Sequence, residues 1–262
     1  MTTYERRQSL LDILRKQPGL RVPELAQALS VSEGTVRNDL NALEEEGRLR
    51  RVHGGAVLMQ QDQFQNNSFV RRFQQNAAAK LAIAREAALL VNDGDSILLD
   101  ASTTVYYVAR ALSHRQNLRV VTNGFEVARE LAENPSNNVI LIGGVVNNNS
   151  SSVTGLLSER IIEELNIEKA FLSCSGCSLE RGMTEILLAE AQIKRKVIES
   201  SQVLYALVDS SKFGRSDLTS FASLKKIRRL FTDNDISPEW VEQLKELGIE
   251  FTICHEEGAF VK

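Results

Sequence analysis

From residue 97 onward, apolar runs of strand length alternate with helix-patterned segments, and this alternation restricts the fold more than any other feature. The runs are Ile97–Leu99, Leu118–Val121, Val139–Ile142, Ala170–Leu172, Val203–Val208, Arg228–Phe231 and Phe251–Ile253. Helical patterns begin at Thr104 and at Glu126 and cover about 186–200 and Pro238–Leu247. Strands separated by helices pair in parallel, because a parallel connection needs a long crossover, and the helices then cover both faces of the sheet. The expected fold class is therefore α/β with a largely parallel sheet. None of the runs approaches the ~20 residues of a membrane helix.

The first 58 residues follow the helical period instead. Leu10, Leu11 and Leu14 recur at helical spacing, and helices are expected at about 4–16, 23–29 and 32–46, with Pro18-Gly19 between the first two. Ser32 is placed to cap the third helix, Glu33 lies in its first turn and Gly47 just past its end. Arg48–Val52, the turn His53-Gly54-Gly55 and Ala56–Leu58 read as a short hairpin. Three helices and a hairpin make a winged helix-turn-helix.

On the third helix, Val36, Leu40 and Leu43 form one apolar stripe. Gly34, Asn38, Asn41 and Glu45 point to the opposite side, with Thr35 and Arg37 on the flanks. Arg37, Asn38 and Asn41 are residue types that pair bidentately with guanine or adenine edges. Arg6, Arg7, Arg50, Arg51 and His53 suit phosphates, which position a reader without specifying sequence. Amphipathic helices with polar outer faces occur in every fold class, so spacing alone leaves a DNA reader and an ordinary surface helix both open.

Gln60–Ser68 is polar and aperiodic, as in a linker. The expected division is 1–58, a linker over 59–76, and 77–262, with 60–80 as the segment that transmits between them. Hydrophobic residues are 43% and charged residues 25%, ordinary for a soluble globular chain and unlike a disordered or fibrous one. The net charge of −3 carries no basic footprint of a nucleic-acid partner. Residues 1–60 nevertheless hold nine Lys/Arg against eight Asp/Glu, with Glu44-Glu45-Glu46 at the helix end that would point away from a groove. Three cysteines cannot form a disulfide framework, and no secretory stretch follows Met1, so a cytoplasmic location is expected.

In parallel sheets, ligands bind beyond the carboxyl ends of the strands. Those ends carry Asp100-Ala-Ser-Thr-Thr104, Thr122-Asn-Gly124, Gly143-Gly144, Ser173-Cys-Ser-Gly176 and Asp209–Gly214. Free N–H groups and hydroxyls at the helix start (Ser102, Thr103, Thr104) suit an anion, Lys212 adds a point charge, and Asp100 and Asn123 suit sugar hydroxyls. Thr122, Gly143, Gly144, Gly176 and Asp209 complete the expected ligand-binding set. At any one junction these residue types are caps and turn formers; several junctions on one rim favour a site.

Val31–Leu40, Leu43, Gly47 and Arg51–Ala56 resemble the signature of DeoR-type bacterial transcriptional regulators. The resemblance carries Ser32, Thr35, Val36, Arg37, Asp39 and Leu40 onto a motif whose helix reads DNA, and His53-Gly54-Gly55 onto its wing. Asn38 stands where the family often has a second Arg, and Gly34 lies early in the helix. The resemblance covers nearly the whole chain. Asp100–Thr104, Thr122-Asn123, Gly143-Gly144, Gly182-Met-Thr184 and Asp209–Phe213 are similar to the family's effector domain, which is related in fold to ribose-5-phosphate isomerase and senses phosphorylated sugars. Ser102 replaces the usual Gly. Ser173–Gly176 and Lys212–Ser216 are similar to the deoxysugar subgroup, such as regulators of fucose operons. The resemblance implies a regulator of a carbohydrate-catabolism operon that binds a double-stranded DNA operator and a phosphorylated sugar. Because one reading helix binds weakly, a homo-oligomer of two or four copies is expected, with no membrane association.

Cys174-Ser-Gly-Cys177 has redox or half-zinc spacing, but only Cys254-His255 remain to complete a metal set, and small residues at a crowded strand end explain it as well. No phosphate-loop or dinucleotide glycine motif occurs, so neither cofactor nor metal is expected. His53, His114 and His255 are too scattered for a nucleophile-base set, and Trp240 is expected as helix core. The competing readings are a sugar-phosphate isomerase using Asp100, Asp209 or Glu190 as base, and a protein-protein module. The resemblance favours a regulator without enzymatic activity.

Overall fold

The computed structural model describes residues 3–17, 19–45, 49–52, 55–58 and 69–255. Pro18, Gly47, Arg48, His53, Gly54 and the expected linker stretch 59–68 lie outside the described residues. The chain divides into two compact units, 1–67 and 68–262.

In the first unit, helices α1 (Thr3–Lys16), α2 (Val22–Leu29) and α3 (Glu33–Glu45) precede the antiparallel pair β1 (Leu49–Val52) and β2 (Gly55–Leu58). Leu10, Leu11 and Leu14 of α1 meet Val22, Leu25 and Leu29 of α2, the stripe Val36, Leu40 and Leu43 of α3, and Leu49 and Ala56 of the hairpin in one buried cluster. Each such aliphatic side chain contributes about 1.5–3 kcal/mol on burial. Between α2 and α3 the chain reverses at Ser30 in the left-handed region, φ 54°. The Ser32 hydroxyl then accepts from the Thr35 N–H at 3.1 Å and caps α3. Gly55 bridges antiparallel to Arg21, and a Cβ there would lie 2.6 Å from the Leu20 carbonyl oxygen, so only glycine admits this approach.

The second unit opens with α4 (Phe69–Gln74) and α5 (Ala77–Ala88). It continues through β3 (Ser96–Leu99), α6 (Thr103–Ala111), β4 (Arg119–Thr122), α7 (Phe125–Ala132), β5 (Asn138–Leu141), β6 (Val145–Asn147), β7 (Ser152–Thr154), α8 (Leu156–Glu163) and β8 (Ile167–Leu172). The remaining elements are β9 (Gly176–Ser178), β10 (Gly182–Glu185), α9 (Leu188–Glu199), β11 (Ser201–Leu207), β12 (Thr219–Ala222), β13 (Arg229–Asp233), α10 (Pro238–Glu246) and β14 (Phe251–Cys254).

Seven strands form a parallel sheet in the order β14-β13-β11-β8-β3-β4-β5, while β6-β7 and β12-β10-β9 form small antiparallel sheets. Alternate residues of the central strands feed two cores. Ile97, Leu99, Phe171 and Leu207 pack with Ile83, Val105 and Val127 of α5, α6 and α7. Leu98, Ala170, Leu172 and Ala206 pack with Ile162, Ile193 and Leu244 of α8, α9 and α10. The expected helices on both faces are thus present.

The second half of the expected linker is folded. Phe69 is buried and, with Phe73, packs on Tyr106 and Tyr107 of α6, the Phe73–Tyr107 rings stacking with centroids 4.6 Å apart. Two aromatics at i, i+4 supply the apolar face that makes 69–74 a helix. Trp240 is half-buried and packs against the core on its side of the sheet, its ring 4.9 Å from that of Phe213.

Candidate functional site

Two groups of side chains have the chemistry expected of a site, one in each unit. In the first unit, Ser32, Gly34, Arg37, Asn38 and Asn41 are exposed on one side of α3 and Thr35 is partly so. The Arg37 guanidinium donates to Glu33 one turn earlier at 2.8 Å. From the hairpin, Arg50 is exposed, while Arg51 donates through Nη1 to Asn41 Oδ1 at 2.5 Å and through its backbone N–H to Glu44 at 2.7 Å. The hairpin is thereby tied to the outer edge of α3. Arg6 and Arg7, expected at phosphates, instead donate to Asp39, which is 2% exposed: Arg6 Nε at 2.5 Å from Oδ2 and Arg7 Nε at 3.2 Å from Oδ1. Asp39 in turn raises the Arg6 guanidinium above its ordinary value by accepting from it. A carboxylate on the inner face of α3 draws both arginines inward.

In the second unit the chain leaves the sheet centre in both directions, through β3, β4 and β5 on one side and β8, β11, β13 and β14 on the other. The strand order therefore reverses between β3 and β8, where a crevice opens beyond the carboxyl ends. Asp100 ends β3. Its Oδ1 accepts from the Ser102 N–H and its Oδ2 from the Ser173 N–H beyond β8, both at 2.9 Å. Lys194 of α9, 5% exposed, lies 3.1 Å from Asp100 Oδ2 and also donates to Glu185 and to the Ser173 carbonyl. Burial pulls the Lys194 ammonium down, but Asp100, Glu185 and Glu190 more than offset this and hold it above its ordinary value.

Most of the expected rim residues are bonded within the fold. Ser102 spends its hydroxyl capping α6, accepting from the Val105 N–H at 3.2 Å. Thr103 donates to the Arg72 carbonyl at 3.5 Å, and Thr104 is buried. Thr122 accepts from the Gly124 N–H, and Asn123 donates to the Val153 carbonyl. Gly143 is exposed, its carbonyl accepting from Ser158; Gly144 is exposed but packs against Ser158 and Thr154. Gly176 is buried beneath the Arg215 carbonyl.

Asp209, 1% exposed, accepts at Oδ1 from Asn76 and Ser211, while Oδ2 has no hydrogen-bond partner among the described residues. Lys212 is partly exposed in the single turn after β11. The three cysteines are free and buried, and burial raises Cys177 to about 12 and Cys174 well above its usual value, so neither is a thiolate.

Sequence reasoning did not find Arg72, Lys80, Glu185 or Lys194. Lys80 is 4% exposed and donates to the carbonyls of Arg72 and Gln75, the latter at 2.7 Å. Both lysines interrupt otherwise apolar stripes, Lys80 with Ile83 and Ala87 on α5 and Lys194 with Ala191 and Val197 on α9. A lysine at such a position is the signal that was available.

Residues 6–62 match the DeoR-like helix-turn-helix domain, and residues 75–234 match the DeoR C terminal sensor domain. The HTH-type transcriptional regulator GolR of Listeria innocua is 37% identical over 254 residues, covering 97% of this chain and 100% of that protein. The glycerol-3-phosphate regulon repressor of Escherichia coli is 29% identical over 254 residues, again 97% of this chain and 100% of that protein. Among solved structures, ribose 5-phosphate isomerase A from Methanocaldococcus jannaschii overlays 51% of this chain and 53% of that one at 20% identity and a TM-score of 0.37.

Proposed function

The chain belongs to the DeoR family of DNA-binding transcriptional regulators and is a regulator rather than an enzyme, and from that premise we propose that it controls a carbohydrate-catabolism operon in response to a phosphorylated sugar. The outer face of α3 reads the operator, Arg37, Asn38 and Asn41 meeting base edges in the major groove while Arg50, Arg51, His53 and Gly54 follow the backbone. The chain binds as two or four copies on repeated half-sites, because one recognition helix alone holds DNA weakly. The reader ends near residue 58 and the sensor begins with α4.

The observation that carries the effector reading is the buried Asp209 carboxylate, whose Oδ2 lacks a partner among the described residues, on the rim that also bears Lys212 and the capped start of α6. An acceptor and a cation on a rim that also carries a helix start suit a ligand with hydroxyls at one end and a phosphate at the other. The Escherichia coli relative, whose name attaches it to a glycerol-3-phosphate regulon, supports the same ligand class. Control requires that the ligand bind the DNA-competent and DNA-incompetent arrangements with different affinity.

The test is retardation of the chain's own upstream DNA, titrated with sugar phosphates. A retarded complex that one sugar phosphate strengthens or dissolves, with the response lost in Lys212→Ala, supports the reading. Failure to distinguish upstream from random DNA overturns it.

A further inference from the structure

Arg72 has the hallmarks of an anion-binding group, although nothing in the sequence motifs points to it. It lies on α4, which docks on the sensor through its carbonyl end: Lys80 and Thr103 donate to the Arg72 carbonyl, Tyr107 to that of Phe73 at 3.2 Å, and Asn76 reaches Asp209 at 3.0 Å. The Arg72 side chain enters the same region. Burial lowers its guanidinium from the ordinary value, opposed by the charges of Glu185, Glu190 and Asp100. Among the described residues its Nη2 donates to the Asn149 carbonyl over a long 3.5 Å. The nearby carboxylates are engaged elsewhere, Asp100 and Glu185 with Lys194, and Glu190 with Ser150 and Ser152.

A guanidinium presents five donors in a planar fork that matches a phosphate, and holding it partly out of water with no ion pair to it among the described residues costs free energy that a bound anion recovers. Lys80 donates to the Arg72 carbonyl, and Asn76, four residues on from Arg72, donates to Asp209 Oδ1 and Ser211 Oγ, so Arg72 and the turn that carries Asp209 and Lys212 meet on one rim.

Resting on the sugar-phosphate reading of this rim, we propose that Arg72 is a ligand-contacting residue that shares the phosphate of the effector with Lys212, while Asp209 Oδ2 accepts one of its hydroxyls. The phosphate then bridges α4 and the turn after β11. Because α4 is the first described element after the DNA-reading unit in the chain, occupancy is registered by the segment that leads back to that unit.

The experiment measures binding of glycerol 3-phosphate, ribose 5-phosphate, fructose 6-phosphate and inorganic phosphate to the full chain by calorimetry, in the wild type, Arg72→Gln, Arg72→Lys and, as a surface control, Arg129→Gln. For whichever sugar phosphate binds the wild type, Arg72→Gln is expected to weaken binding at least tenfold and Arg72→Lys less, with Arg129→Gln unchanged and the ligand-free melting temperature of Arg72→Lys preserved. Equal affinity in the wild type and both Arg72 variants overturns the role of Arg72 and leaves the sugar-phosphate reading standing. Absence of binding by every sugar phosphate to the wild type overturns both for these ligands. If Arg72→Gln fails to fold, Arg72→Lys decides: it keeps the charge but loses the fork, and undiminished affinity overturns the bidentate contact.

Discussion

Asp39 of α3 and Arg6 of α1 meet with Oδ2 and Nε 2.5 Å apart, and with Arg7 on the other oxygen they tie the first helix to the back of the reading helix. A buried carboxylate between two guanidinium groups fixes the angle at which α3 is presented. Asp39→Asn removes that charge while keeping the shape. The urea midpoint of the N-terminal unit is expected to fall by roughly 0.5–1 M, and affinity for operator and random DNA to fall by the same factor. An unchanged midpoint would show that the pair holds nothing together.

Arg37 lies on the opposite side of α3, exposed, and its pair with Glu33 is of a kind worth about 0.3–0.5 kcal/mol. Releasing Arg37 to a base edge therefore sacrifices little. Arg37→Ala is expected to weaken operator binding by ~1–3 kcal/mol while leaving the melting temperature nearly unchanged. Competition with random DNA identifies the contact, since an equal loss on both marks Arg37 as a phosphate contact instead.

The contrast between these two arginines marks how far sequence carries. The stripe Val36, Leu40 and Leu43 and the Ser32 cap are local, set by residues three or four apart, and each stands where periodicity puts it. The seven strands were legible because buried parallel strands read as continuous apolar runs. Arg6, by contrast, finds a partner 33 positions away, and Lys194 one 94 positions away, and no local pattern encodes either. Helix α5 was missed because its buried face is mostly alanine, which carries little amphipathic contrast. Ser102, Thr122 and Asn123 lie at the carboxyl ends of β3 and β4, where the sequence puts them, yet they spend polar atoms on capping and backbone contacts.

Lys194 neutralises Asp100 and Glu185 where the strand order reverses, so its removal leaves two carboxylates facing each other in a buried crevice. Lys194→Met keeps the apolar stem and is expected to cost about 3–5 kcal/mol in equilibrium unfolding. Adding Asp100→Asn to that variant is expected to restore part of the loss, because one stranded charge is gone. Strict additivity of the two substitutions would argue against the pair. Since Lys194 is held above its unfolded value, its contribution is complete at neutral pH and lost only as pH rises past the ordinary lysine range.

Lys80 behaves in the opposite sense. Burial lowers its ammonium to about 8, Asp209 opposing the shift and Lys212 and Arg72 adding to it. In the unfolded chain a lysine titrates near ~10.4, so between about pH 8 and 10 the unfolded state binds more protons than the folded one, and stability rises with pH through that window. The neutral amine keeps two N–H groups, enough for the Arg72 and Gln75 carbonyls that it now serves. Urea unfolding at pH 7.5, 8.5 and 9.5 is expected to show the wild type gaining stability relative to Lys80→Met as pH rises, even though the variant starts lower for want of those two donors. Parallel pH profiles for the two proteins would mean that Lys80 stays charged when buried and that α4 is anchored by an ammonium throughout.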